Sequence, residues 1–263
     1  MQFRFFHVDA FTGEAFKGNP AAVCLLDTMP SDEILSSIGK ENNLPMTAFL
    51  LAQHGDYILR WFLPNGEESK LCGHATLASA HVLWESAMKL ADETIRFHTA
   101  GGLLTATKGE DGWITLNFPA IENTPMQHHG PMAALFPRAK EVLATNSGGY
   151  LVVLPTEAEV REYSPNAETL KPYRITITAL ADTGKPYDFV SRFFMNHGGS
   201  PEDPVTGSAH CSLVPYYAQV LNKTDFDARQ VSPRGGILKV GLRGNRVDIS
   251  GQAVTVVDGW YNL

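Results

Sequence analysis

Two short stretches of the chain carry residue types that could move a proton. One is Cys72-Gly73-His74-Ala75; the other runs from Asp203 through Thr206-Gly207-Ser208-Ala209. Each sets a glycine and a polar residue ahead of an apolar run, which reads as the opening of a buried helix. A helix N-terminus offers unpaired backbone N–H groups and a partial positive charge, so it favours a carboxylate or a developing oxyanion. Glycine at such a point lets a ligand come close to the backbone, which makes Gly73 and Gly207 candidate binding positions. Two such ends facing a shared cleft would clamp a small carboxylic acid and stabilise its enolate on loss of a C–H proton.

The polar neighbours are the chemical candidates. His74, in the first helical turn, can donate, accept or shuttle a proton; the plainer reading is a histidine bonding a loop carbonyl. Asp203 is either a capping carboxylate or an acid–base partner for His74. Ser208 reads as an anion-binding hydroxyl, because no Gly-x-Ser-x-Gly elbow surrounds it. Cys72 at a helix start has the setting that lowers a thiol pKa, yet free cysteine is also a common buried small hydrophobe. His128-His129 lacks the spacing and the companion ligands of a metal site. Nothing resembles a Gly-x-Gly-x-x-Gly or Lys-Ser/Thr phosphate loop, so no nucleotide cofactor is indicated.

These residues need elements to hold them. Short strand patterns cover Phe3–Asp9, Ala21–Leu26, Thr47–Ala52 and Tyr57–Phe62, with a helix opened by Ser31 and stopped by Pro45. Further strands are expected at Thr94–His98, Leu103–Lys108 and Trp113–Phe118, then after a linker at Tyr150–Leu154, Ile175–Thr178 and Phe189–Phe194. Glu157–Tyr163 reads as helical, and Pro215 should kink the helix that begins near Gly207. Three last strands occupy Gly236–Val240, Val247–Ser250 and Ala253–Val257. Trp61-Phe62 ahead of Cys72-Gly73-His74-Ala75 is echoed by Phe193-Phe194 ahead of Thr206-Gly207-Ser208-Ala209, which suggests two copies of one α/β unit. The paired glycines 101–102, 198–199 and 235–236 mark turns.

At 263 residues, with 44% hydrophobic and 19% charged residues, the chain suits one large domain or two smaller ones. A net charge of −7 leaves no basic field for nucleic acid. The N-terminus lacks a signal-peptide pattern and no apolar run is long enough to span a bilayer. Three cysteines are too few and too odd in number for a disulfide framework, which fits a cytoplasmic location.

Taken in order, several segments resemble the PhzF-like family of phenazine biosynthesis. They are the stretch Phe6–Thr12, Gly18-Asn19-Pro20, Asn43-Leu44-Pro45 with Thr47-Ala48-Phe49, Cys72–Thr76, Glu202–His210 and Arg234-Gly235-Gly236. The resemblance implies an α/β (α+β) fold like diaminopimelate epimerase. Two similar halves, 1–118 and 119–263, would each wrap a curved, mostly antiparallel sheet around a central helix. The site would lie between them, and the last strand could return to the first half. It also implies a homodimer that uses no metal or organic cofactor and isomerises a small carboxylic acid by proton transfer. The phenazine enzyme itself rearranges trans-2,3-dihydro-3-hydroxyanthranilate. By this carry-over His74, Asp203 and Ser208 match site residues, with Asn19 and position 46 beside the substrate.

Position 46 departs from the pattern. The family's proton-shuttling glutamate is here Met46, whose thioether holds no proton at neutral pH. The related epimerases use two cysteines at helix-opening glycines; Cys72 fills the first place and Thr206 the second. Three readings therefore stand open. The first is an isomerase using His74 and Asp203, with Cys72 as a further candidate. The second is a ligand-binding or regulatory protein that keeps the pocket without turnover. The third is a Cys72-dependent hydrolase or transferase.

Overall fold

The computed structural model describes residues 2–127, 130–164, 166–197 and 200–263. The chain divides into two compact units, residues 1–117 with 250–263 and residues 118–249. The linear division at 118/119 therefore does not carry to the C-terminus. Among the described residues no helix is long and apolar enough to cross a membrane.

The first unit begins with β1 (Gln2–Ala10) and β2 (Asn19–Leu26), followed by α1 (Asp32–Asn42), β3 (Thr47–Gln53) and β4 (Asp56–Phe62). After these come β5 (Glu68–Ser69), α2 (Gly73–Glu85), β6 (Ile95–Thr99), β7 (Gly102–Lys108) and β8 (Ile114–Pro119). β1–β2, β3–β4, β4–β5, β6–β7 and β7–β8 pair antiparallel. Two pairs run parallel, β2 with β3 and β4 with β6. Parallel neighbours need a crossover, and α1 and α2 are those crossovers. α2 is buried on nearly every side, as its Ala- and Leu-rich run demands. Ser31 occupies the N-cap of α1, but its side chain makes no cap hydrogen bond. The hydroxyl instead serves the Glu33 carboxylate and lowers its pKa.

In the second unit β9 (Asn123–Pro125), α3 (Met132–Leu135), β10 (Glu141–Thr145) and β11 (Tyr150–Val153) precede α4 (Glu157–Glu162) and α5 (Ala167–Leu170). Then follow β12 (Ile175–Leu180), β13 (Phe189–His197), β14 (Ser200–Asp203), α6 (Gly207–Leu221), β15 (Asp225–Gln230), β16 (Gly236–Arg243) and β17 (Arg246–Gly251). The last strand, β18 (Ala253–Asn262), lies antiparallel to β1, from Gln2 opposite Asn262 to Ala10 opposite Ala253. This nine-residue pairing is what attaches the C-terminus to the first unit. Pro215 lies within α6. His128-His129 and Gly198-Gly199 fall outside the described residues.

The echo seen in the sequence is a structural repeat. β10–β11 pair antiparallel, β11–β12 parallel, β12–β13 and β13–β14 antiparallel, β13–β15 parallel and β15–β16 antiparallel. That is the order found from β1 to β7. Registers match residue by residue: Trp61 faces Ser69 and Phe62 faces Glu68, while Phe193 faces Asp203 and Phe194 faces Glu202.

A charged fork recurs at the same place in both repeats. Arg60 donates from Nε and Nη2 to the two carboxylate oxygens of Glu68, each at 2.7 Å. Arg192 does the same to Glu202 at 2.7 and 2.8 Å. Its Nη1 also reaches the carbonyl oxygens of Val160, Arg161 and Tyr163. The Arg192–Glu202 side chains are 8% and 13% exposed, against 21% and 33% for Arg60–Glu68. Removing one partner of a buried pair leaves the other charge uncompensated, at a cost of ~3–5 kcal/mol; solvated pairs contribute ~1 kcal/mol or less. Glu202→Ala should therefore destabilise the protein several-fold more than Glu68→Ala in urea unfolding. Equal midpoint shifts would show that burial does not set the difference.

Candidate active site

In the first unit, three elements bring candidate residues together. The loop after β1 is held by the buried Asp9 carboxylate, which accepts from the Phe16 N–H at 2.7 Å. Gly18 then turns the chain with φ +63°, and a Cβ there would lie 2.2 Å from the Ala10 carbonyl oxygen. Only glycine fits, and it delivers Asn19 to the start of β2 with no exposed surface. Met46, 5% exposed, immediately precedes β3, and its carbonyl accepts from the Ala22 N–H at 3.0 Å. Cys72 is the N-cap of α2, Gly73 its first residue and His74 its second.

The amide Nδ2 of Asn19 lies 3.1 Å from His74 Nδ1. An amide nitrogen only donates, so Nδ1 accepts and the neutral ring carries its proton on Nε2. Cys72 Sγ lies 3.5 Å from the same Nδ1 and 4.0 Å from Nε2. With the Nδ1 lone pair taken by Asn19, the thiol is a second polar neighbour on that edge of the ring and can pass a proton to it only where the Asn19 hydrogen bond gives way. Of the plainer possibilities for His74, bonding to a loop carbonyl is not the contact observed at Nδ1.

Elsewhere in the chain, in the second unit, Asp203 ends β14 and is half-buried. Its Oδ2 accepts from the Thr206 hydroxyl at 2.5 Å. Thr206, rather than Asp203, holds the N-cap position of α6. Gly207 is the first helical residue and Ser208, half-buried, the second. The two helix starts correspond: the Thr76 hydroxyl donates to the Cys72 carbonyl, and His210 Nδ1 contacts the Thr206 carbonyl at 2.9 Å. A carbonyl only accepts, so His210 Nδ1 carries the proton. His210 is thus a structural donor, and burial lowers its pKa from 6.5 to about 4.

The other two cysteines differ from Cys72 in setting. Burial drives the Cys24 thiol far up and pushes Cys211 up to about 12. Among the described residues no group of three or more His, Cys, Asp or Glu could hold a metal ion. Sequence reasoning passed over Arg192 and Glu202, which fix β14, and Asp9, which fixes the loop before Asn19. The signal available was the repeated Arg-aromatic-Phe followed by a glutamate, Arg60 to Glu68 and Arg192 to Glu202.

The family model described as phenazine biosynthesis-like protein matches residues 8–259. A protein of Halalkalibacterium halodurans named "uncharacterized isomerase" is 46% identical over 254 residues, 95% of each chain. A crystal structure of a phenazine biosynthesis protein of the PhzF family from Enterococcus faecalis superposes with a TM-score of 0.91 at 38% identity, covering 100% of both chains. A more distant likeness, in fold alone, is to a probable proline racemase from Agrobacterium radiobacter, with TM-score 0.67 at 14% identity over 99% of this chain and 92% of that one. The fold is thus that of the epimerase-like proteins.

Two outcomes follow from the site's electrostatics. Iodoacetamide at mildly alkaline pH should label Cys72 in the native protein well before Cys24 or Cys211, as read by peptide mass spectrometry; prior labelling of Cys211 would contradict the burial argument. For His210, the unfolded state binds the proton below pH 6.5 and the folded state only near pH 4. Stability should therefore fall as pH drops through that window, by on the order of 3 kcal/mol from this group. His210→Gln, which keeps a donor for the Thr206 carbonyl, should flatten that part of the stability–pH curve.

Proposed function

The chain belongs to the phenazine biosynthesis-like family, and from that premise we propose that it is an isomerase that moves a proton on a small carboxylic acid. The relatives named as isomerases support the reaction class. The observation that carries the reading to this chain is the contact of Cys72 and Asn19 with one ring nitrogen of His74, at the N-terminus of a buried helix. Asn19 fixes the tautomer, the helix end favours the substrate carboxylate, and the imidazole is oriented to exchange a proton.

The family glutamate expected from the resemblance is Met46, so the proton needs another carrier. In this reading the Cys72–His74 couple supplies a titratable pair beside α2, and Asp203 supplies a carboxylate ahead of α6. At the two helix starts, the Gly73 and Gly207 N–H groups and the Ser208 hydroxyl are the candidate donors to a carboxylate. The same reading holds the protein to be a homodimer that needs no organic cofactor. A second reading, a binding protein without turnover, is favoured by the buried apolar side chain at position 46.

Proton NMR in D₂O decides between them, with trans-2,3-dihydro-3-hydroxyanthranilate and a panel of small amino and hydroxy acids. An isomerase incorporates deuterium at carbon, and His74→Ala or Asp203→Ala should slow this ~10²–10⁴-fold. Line broadening without incorporation would establish binding alone.

A further inference from the structure

The segment that carries Asp203 is clamped from the side by one buried amide. Gln230, 1% exposed, is the last residue of β15. Its Oε1 accepts from the Thr206 N–H at 2.8 Å, and its Nε2 donates to the Asp203 carbonyl at 2.7 Å and to Thr206 Oγ1 at 3.3 Å. The same Thr206 hydroxyl donates to the Asp203 carboxylate. Just beyond, Ser232 Oγ donates to the Pro204 carbonyl at 2.7 Å and accepts from the Gly235 N–H at 3.1 Å. Backbone groups at Asp203, Pro204 and Thr206 are thus all held by side chains at the end of β15 and just beyond it.

The fold alone does not require this amide. Ser191 faces Gln230 across β13–β15, and the parallel register in the first unit, Tyr57 to Phe97 and Ile58 to His98, places Thr99 at the corresponding position. Thr99 instead donates to the Gly102 carbonyl and accepts from the Gly101 N–H, within its own hairpin. The repeat conserves the strand but not the clamp, and the clamp occurs where the carboxylate is.

We propose that Gln230 is a positioning residue: it fixes the turn from Asp203 to Thr206 so that the Thr206 hydroxyl holds the Asp203 carboxylate in one orientation. The inference rests on the reading of Asp203 as a proton-handling group. Loss of such support displaces a reacting group by a fraction of an ångström to an ångström, and displacements of that size reduce turnover ~10–100-fold.

The test uses the full chain in the deuterium-incorporation assay, with Gln230→Ala, Gln230→Glu and, as a control, Thr99→Ala. Gln230→Ala should lower kcat ~10–100-fold with KM changed little, the signature of a group needed in the transition state rather than for binding. Gln230→Glu keeps the acceptor for the Thr206 N–H and should recover part of the rate. Thr99→Ala should exchange at the unsubstituted rate. The side-chain carboxyl carbon resonance of Asp203, assigned by Asp203→Asn, should move in Gln230→Ala but not in Thr99→Ala. An unchanged kcat with an unmoved carboxyl resonance would overturn the proposal. If the unsubstituted protein exchanges no compound of the panel, the proton-transfer reading fails; the carboxyl resonance then decides the positioning role, confirmed by a shift and refuted by none.

Discussion

The loop–helix junctions of this chain depend on a bidentate arginine–glutamate fork across a short hairpin, found at the same place in both repeats. A strand of two to four residues has too few ladder bonds to hold its own register, and the loop after it must deliver a helix N-terminus. The fork closes that gap. Arg192 grips both oxygens of Glu202 and three carbonyls of the α4 region, so β14 is tied at once to β13 and to a neighbouring helix. Asp203 is the next residue, and its place follows from that tie. Arg's planar fork suits the role better than lysine, because two parallel bonds fix direction as well as distance.

The two units use one plan and then diverge in the polar side chains at their loop–helix junctions. At both helix starts the residue four positions beyond the N-cap faces the N-cap carbonyl, a threonine in one unit and a neutral histidine in the other. At the second helical position stands His74 in one unit and Ser208 in the other. Ser69 and Asp203 occupy equivalent registers, so one unit bears a hydroxyl where the other bears a carboxylate. A repeat constrains backbone and packing; the polar side chains at its loop–helix junctions are free to differ, and they differ here.

Much of this was legible before any coordinates. The two Gly-polar-Ala openings, the all-round apolar runs behind them and the Trp61/Phe193 echo carried the repeat and its central helices, because burial leaves a direct imprint on residue type. β10 and β15 were passed over. β15 reads Asp-Phe-Asp-Ala-Arg-Gln, and aspartate and alanine are poor strand formers; only the alternation of exposed and buried positions marks it. That omission also hid Gln230. The return of the C-terminus to β1 is a pairing across some 250 residues, and no local pattern encodes such a partner. The contact between Asn19 and His74 was beyond the sequence for the same reason.

Met46 shows how far motif reasoning reaches and where geometry must continue it. By motif alone, losing the shuttle glutamate removes the proton carrier and leaves a pocket. The arrangement beside α2 changes the weight of that loss. Asn19 donates to His74 Nδ1, which places the ring proton on Nε2, and the Cys72 thiol lies 3.5 Å from the same Nδ1. A thiol is inert where burial drives its pKa up, as at Cys24 and Cys211. Cys72 differs from both in capping a helix N-terminus beside an imidazole. Position 46 carries no titratable group, while Cys72 and His74, both titratable, lie in contact at the start of α2.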